Sequence, residues 1–86
     1  MDEASTSHVA RVILEYLHDN PDAQDTLSGI VEWWLPRQEI RTRVVKHALE
    51  MLLADALIVE VIGKDSQTHY RINDQKWLQI DRMLNH

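Results

Sequence analysis

The spacing of the apolar residues changes at residue 57, and this change constrains the fold more than any other feature of the chain. Up to residue 54, apolar residues recur every three or four positions, which is the spacing of one face of an α-helix. From residue 57 onward β-branched residues are frequent, and residues 68–72 alternate between the two sides of an extended chain. A turn-like segment, Gly-Lys-Asp-Ser-Gln at 63–67, separates the two stretches. The sequence therefore predicts helices followed by a β-hairpin with strands at 57–62 and 68–72.

The helical periodicity divides into four segments. They are residues 7–19, 27–35 and 37–54 before the hairpin and residues 74–84 after it. Pro21 and Pro36 separate the first three segments, because a proline cannot continue the hydrogen-bond ladder of a preceding helix. Arg41 falls in the middle of the apolar stripe of the third segment. Either its side chain projects from the first turn past the edge of the core, or the regular helix begins after it.

Length and composition restrict the class of protein. With 86 residues, the chain has room for one domain, which spans residues 1–86. The absence of cysteine excludes disulfides, thiolate metal sites and a cysteine nucleophile. The acidic N-terminus is unlike a signal peptide, and no apolar stretch approaches the ~20 residues of a membrane-spanning helix. We therefore expect a cytoplasmic protein without a membrane partner.

No segment of the sequence carries the pattern of a catalytic or cofactor site. The two glycines lie far apart, which excludes a glycine-rich phosphate loop. The five histidines are scattered along the chain. Glu15 with His18, and likewise His47 with the glutamate at 50, supply two ligands on one helical face, fewer than a metal site needs. We expect solvated histidines, no catalytic residues, no metal and no cofactor, and hence a protein that is not an enzyme.

Charge is distributed unevenly along the chain, whose formal net charge is −5. Residues 1–35 contain seven acidic residues and one basic residue, which gives −6. Residues 36–86 contain seven acidic and eight basic residues, which gives +1. The acidic half weakens long-range attraction to nucleic acid, but a local basic face in the second half can still hold phosphate. The net charge alone therefore does not exclude DNA binding.

Residues 45–58, with the sequence VKHALEMLLADALI, lead directly into the hairpin. This stretch resembles the part of small bacterial winged helix-turn-helix regulators in which a recognition helix with spaced leucines ends in a short turn. In those proteins a Leu-Ile pair then opens the wing. The resemblance covers about residues 7–72 and implies a mainly α fold with a two-stranded β-hairpin, in the order of three helices, hairpin and last helix. These families usually have glycine where this chain has Ala56, so we expect the C-terminal cap of the third helix to be formed differently.

The resemblance also implies a DNA-binding surface. In related proteins the second and third helices form the helix-turn-helix, the start of the third helix enters the major groove, and the wing contacts the DNA backbone. Transferred to this sequence, the DNA-contacting residues are Gln38, Arg41, Thr42, Arg43 and Lys46, with His47 at the margin, and on the wing Lys64 and Arg71, beside which lies His69. Arginine and glutamine bond to guanine and adenine edges, whereas lysine and threonine suit phosphate oxygens. Alternatively, Arg43 and Lys46 form ion pairs with the glutamates at 39 and 50 on a solvated surface.

Two functions are compatible with this fold. The first is a sequence-specific, dimeric transcription regulator that binds double-stranded DNA, and the second is a winged-helix module that binds a protein partner and no DNA. The last helix carries four apolar residues on one flank, which we expect to form a homodimer interface: Trp77, Ile80, Met83 and Leu84. Alternatively, this flank packs on the first helix and completes the core of a monomer.

Overall fold

A computed structural model describes residues 6–34 and 41–85 of the chain. The elements are α1 (Thr6–Asp19), α2 (Leu27–Gly29, continued by a π-helical turn, Ile30–Trp34), α3 (Thr42–Ala54), β1 (Ile58–Ile62), β2 (Thr68–Ile72) and α4 (Trp77–Leu84), which a 3-10 turn (Asp74–Lys76) precedes. The predicted class, mostly helical with four helices and one antiparallel hairpin, is confirmed. None of the helices in the described part of the chain combines the length and the apolar character needed to cross a bilayer.

Side-chain caps explain where α1 ends and α2 begins. The backbone N–H and the side-chain amide of Asn20 both donate to the carbonyl oxygen of Tyr16, each at 2.9 Å. At the start of α2, the hydroxyl of Thr26 accepts a hydrogen bond from the N–H of Gly29 at 3.2 Å. The carboxylate of Asp25 accepts a hydrogen bond from the N–H of Thr26 at 2.8 Å. A Cβ atom on Gly29 would overlap this carboxylate, so the cap favours glycine at this position although glycine lowers helix stability.

α3 begins later than the sequence predicted. The described helix starts at Thr42, and Arg41 is its N-cap residue, with φ −65° and ψ 141°. The carbonyl oxygen of Arg41 accepts hydrogen bonds from the N–H groups of Val44 at 2.9 Å and Val45 at 3.2 Å. Residues 35–40 lie outside the described residues. Because an N-cap residue has no helical backbone, Arg41 leaves the apolar stripe, and its side chain is exposed. The placement of Arg41 within the helix is therefore wrong, and the alternative, that the regular helix begins after it, is confirmed.

α3 ends in a Schellman cap with alanine in the position that glycine usually occupies. The backbone of Ala56 is left-handed, with φ 59°. Its N–H donates to the carbonyl oxygen of Leu53 at 3.0 Å, and the N–H of Leu57 donates to that of Leu52 at 2.9 Å. The expectation of a different cap is therefore wrong, because the chain forms the cap geometry that glycine usually allows. The left-handed backbone at Ala56 carries a strain of about 1–2 kcal/mol. The side-chain amide of Asn73 donates to the carbonyl oxygen of Ala56 at 2.7 Å and holds it in place.

The hairpin pairs β1 with β2 from Ile58 opposite Ile72 at its base, as the sequence predicted. A further contact was not predicted. Asp25 forms an isolated antiparallel bridge with Tyr70, in which the N–H of Asp25 donates to the carbonyl oxygen of Tyr70 at 3.3 Å and the N–H of Tyr70 donates back at 2.8 Å. This bridge docks the loop before α2 on the edge of β2, and it thereby fixes the start of α2 relative to the hairpin.

The core lies between α1, α3, α4 and the base of the hairpin. Its buried apolar residues are Val9, Ala10, Ile13, Leu14, Leu17, Ile30, Val44, Val45, Ala48, Leu49, Leu52, Leu57, Ile58, Ile72 and Ile80. α1, α3 and α4 thus each contribute one apolar face, as their periodicity predicted. α1 contacts α3, α4 and β2, and α3 contacts α1, α2 and β1, so these two helices organise the packing.

α4 packs on α1 and completes this core. Ile80 is fully buried within the single chain, and Trp77 and Leu84 pack against the core with part of their surface covered. The guanidinium of Arg11 donates to the carbonyl oxygens of Met83 at 3.5 Å and Leu84 at 3.3 Å, which ties the end of α4 to α1. The assignment of Ile80 to a dimer interface is therefore wrong, because none of its surface remains free. Of the four predicted interface residues, Met83 is the one that stays exposed, and dimerisation itself stays a prediction.

Candidate nucleic-acid interface

The start of α3 presents cations to the solvent. Arg41, Thr42 and Arg43 are exposed, as are Lys46 and His47, whereas the residues at 44, 45, 48 and 49 are buried. Arg43 and Lys46 are three positions apart, so their Cβ atoms lie about 5–6 Å from each other on one helix face. The first two turns of α3 therefore combine a basic exposed face with an apolar face that fixes the orientation of the helix.

Arg43 and Lys46 form no ion pair with any other described residue. Glu50 lies one helical turn after Lys46, but the pair that the alternative interpretation requires does not form. Glu39, the other acid of that interpretation, lies outside the described residues, as does the predicted DNA-contacting residue Gln38. Within residues 6–34 and 41–85, no carboxylate therefore competes with an external anion for Arg43 and Lys46.

The two basic residues of the hairpin differ in their surroundings. Lys64 is exposed in the turn and has no acidic partner within residues 6–34 and 41–85. Arg71 is half-buried on β2, and its Nη2 atom lies 3.4 Å from Oδ2 of Asp74. An anion can reach Lys64 directly, whereas it must compete with Asp74 for Arg71. Of the two predicted wing residues, Lys64 is thus the one that is better placed to contact phosphate.

His69 belongs to the framework of the turn and is not solvated, contrary to expectation. Only 17% of its side chain is exposed. Its Nε2–H donates to both carboxylate oxygens of Asp65, at 3.1 Å and 3.2 Å, and its buried Nδ1 atom has no hydrogen-bond partner among the described residues. The hydrogen bond from the N–H of Gln67 and then that from His69 hold the pKa of Asp65 below its ordinary value. The negative charge of Asp65 is therefore held next to Lys64, and it weakens the electrostatic attraction between the turn and phosphate.

Acidic residues surround Tyr70 between α3 and the hairpin. Glu60 is directly opposite Tyr70 in the sheet register. Burial and then the negative charges of Glu60 and Glu50 raise the pKa of Tyr70 above its ordinary value. Both glutamates therefore act electrostatically at the same hydroxyl group. Glu50 thus places negative charge on the second half of α3, whereas Arg43 and Lys46 lie on the first half.

A second histidine, His18, is also packed, although it too was expected to be solvated. Its ring stacks on that of Trp77 with a centroid distance of 4.7 Å and an interplanar angle of 10°. Its Nε2 atom lies 2.9 Å from Oδ1 of Asp81, and the side-chain amide of Asn85 donates to the same oxygen at 2.8 Å. These contacts join α1 to α4 and have a structural role. In the described part of the chain, no three histidine or acidic side chains converge on a possible metal site.

The predicted DNA-contacting residues that the structure describes fall into two places. Arg41, Thr42, Arg43 and Lys46 are grouped at the exposed start of α3, and the other two, Lys64 and Arg71, lie on the hairpin. Comparison of the chain with models of protein families, with curated protein sequences and with solved structures finds no match. The conclusion on function therefore rests on these surfaces and not on a relative.

Proposed function

We propose that this chain is a DNA-binding transcription regulator of the winged helix-turn-helix type, with α3 as the recognition helix and the hairpin as the wing. The observation that carries the proposal is the pair of exposed cations Arg43 and Lys46, neither of which has an acidic partner among the described residues. A cation without a partner can displace the counterions condensed on DNA, whereas a paired cation must first give up its pair. The confirmed order of helices and hairpin supports the same interpretation.

The side chains suit different contacts. Arg43 has a planar fork of donors that can bond to O6 and N7 of one guanine, so it is the candidate for base recognition. Lys46 carries a compact charge on a flexible stem and suits a phosphate oxygen. Thr42 is the first residue of α3, where free backbone N–H groups and a hydroxyl favour a phosphate. Lys64 adds a backbone contact from the wing.

The acidic residues near Tyr70 limit how a duplex can approach. Glu50 on the second half of α3 and Glu60 on β1 are both exposed, so their negative charges repel phosphate from these surfaces. DNA therefore meets α3 at its start, where Arg43 and Lys46 lie, and reaches the wing only near Lys64. This orientation agrees with recognition helices that contact base edges through their N-terminal residues.

Salt titration of DNA binding tests the proposal. We expect a labelled duplex of mixed sequence to bind at low salt, and Lys46→Ala to lower the slope of log K against log salt by ~1. Arg43→Ala should cost ~1–3 kcal/mol on a preferred sequence. Lys76→Ala and Arg82→Ala remove the same charges outside the proposed surface and should leave affinity and slope unchanged. All four changes affect partly or fully exposed side chains, so melting curves should move by less than about 0.5 kcal/mol.

Two results would contradict the proposal. If the wild-type chain shows no salt-dependent affinity for DNA, the alternative of a protein-docking module is the better account of the fold. If DNA binds but the α3 variants behave like Lys76→Ala and Arg82→Ala, the chain binds DNA through another surface.

A further inference from the structure

A groove of about 340 Å³ lies between α1, the end of α3 and the end of α4. Leu14, Leu52 and Leu57 form its apolar floor, and all three are buried. Met51 and Met83 stand at its edges and are 41% and 42% exposed. Methionine side chains are unbranched and polarisable, so they adapt to apolar partners of irregular shape. The groove is therefore suited to receive an apolar side chain from outside.

One carboxylate lines this groove, and two more lie beside it. Asp55 lines it, is exposed and forms no ion pair within the described chain. A separate polar depression, which shares Leu84 with the groove, is lined by Glu15 and Asp19. The one base among the lining residues, Arg11, is engaged by Glu15 at 3.4 Å and by two carbonyl oxygens of α4. With Arg11 and Glu15 paired to each other, Asp55 and the neighbouring Asp19 leave a negative charge at and beside the groove, which favours a basic partner.

The same charges argue against a second copy of this chain as the occupant. The chain carries a formal net charge of −5, and Asp55, Asp19 and Glu15 lie at or beside the groove. Two such surfaces repel each other. The apolar flank of α4 cannot compensate, because Ile80 is buried within the chain and Trp77 is stacked on His18.

We infer that this groove docks an amphipathic helix of a partner protein, with apolar side chains between Met51 and Met83 and basic side chains facing Asp55 and the acids of α1. Such helices bind in apolar grooves through anchors spaced by three or four residues. This site goes beyond the proposed function and lies elsewhere on the molecule. Lys46 and Asp55 are about 13 Å apart along the axis of α3, so the groove and the proposed DNA-binding surface are at different ends of this helix.

Model peptides test the inference. The probe is a labelled synthetic helix with leucines along one face and lysines on the other, and binding to the full chain is followed by fluorescence anisotropy. One control peptide has the same composition in an order that breaks the leucine stripe, and a second has glutamate in place of lysine. We expect the basic amphipathic peptide to bind at least ~10-fold more tightly than either control. Equal binding of the three peptides would overturn the inference.

Variants of the chain locate the binding. Met83→Glu should weaken the amphipathic peptide at least ~10-fold, because it places a charge at the apolar edge of the groove. Leu78→Glu is the matched control, since Leu78 is on the same helix, 72% exposed and outside the groove. Asp55→Lys should weaken binding several-fold, whereas Asp22→Lys, an equal change of charge in the loop after α1, should not. Matching melting curves verify the fold, and DNA binding of Met83→Glu should equal that of the wild type.

Two outcomes contradict the inference directly. The groove is not the site if Met83→Glu and Leu78→Glu have the same effect on peptide binding. If sedimentation shows a dimer that Met83→Glu dissociates and Leu78→Glu does not, the groove holds a second copy of this chain. Neither outcome bears on Arg43 and Lys46, so the result is independent of the proposed function.

Discussion

Replacing Ile80 by alanine tests whether α4 belongs to the core of the single chain. Ile80 is fully buried and part of the main apolar cluster. The change removes three carbon atoms, which at ~0.8 kcal/mol each gives ~2.4 kcal/mol of transfer free energy, and the cavity adds a further term. We therefore expect the free energy of unfolding to fall by about 3–4 kcal/mol, against a total of ~4–13 kcal/mol for a domain of this length. Ile80→Val should cost about 1 kcal/mol.

Urea unfolding followed by tryptophan fluorescence measures these losses, and Leu78→Ala is the control on the exposed side of α4. This control should change the stability by less than about 0.5 kcal/mol. The loss of stability caused by Ile80→Ala should be the same at different protein concentrations, because the buried contacts of Ile80 lie within one chain. The reasoning is refuted if Ile80→Ala unfolds like Leu78→Ala. It is also refuted if the loss caused by Ile80→Ala grows with protein concentration, because Ile80 would then contribute to an interface between subunits.

Three further predictions concern local geometry. Ala56→Gly should raise the stability by about 1 kcal/mol, because glycine removes the strain of the left-handed backbone; an unchanged melting temperature would contradict this. In an ordinary helix, replacing glycine by alanine raises the stability by ~1 kcal/mol, but a Cβ atom at position 29 would displace the carboxylate of Asp25. In a double-mutant cycle, Gly29→Ala should therefore raise the stability only when Asp25 is also replaced by alanine. In a Tyr16→Phe variant, an absorbance titration should show Tyr70 ionising above its ordinary pKa of 10.0, because burial and negative charge raise that pKa. Because the folded chain favours the neutral hydroxyl of Tyr70, its contribution to the free energy of unfolding is complete below pH 10 and is lost as the pH rises through the raised pKa. Ionisation of Tyr70 at or below pH 10.0 would contradict this prediction.

The elements that depend on local sequence were predictable. The hairpin follows from the change of spacing at residue 57, and its strands differ from the prediction by no more than one residue. The helical faces follow from periodicity, and all the buried residues of α3 lie on the predicted stripe. The start of α3 was not predictable from periodicity. Arg41 interrupts the apolar pattern in the same way whether it is the N-cap residue or the first part of the helix, so the pattern does not distinguish the two.

The features that were missed depend on residues distant in sequence. Ala56 takes the left-handed conformation of a glycine because it is held by Asn73, 17 positions later. His18 is packed because Asp81, 63 positions later, accepts its hydrogen bond. The bridge between Asp25 and Tyr70 likewise joins the loop before α2 to β2, and no local sequence pattern predicts this contact. In the candidate site, the exposure of Arg43 follows from the helical wheel, but only the structure shows that none of the described acidic residues pairs with it.

Mapping of amide chemical shifts during titration with a mixed-sequence duplex at low salt tests the central claim most directly. The account predicts shift changes at residues 41–46 and at Lys64, which weaken as salt is added. It predicts no change at Met51, Asp55 and Met83, which line the groove at the other end of α3. A titration that leaves residues 41–46 unchanged, or that shifts only the residues of the groove, would contradict DNA recognition by the start of α3.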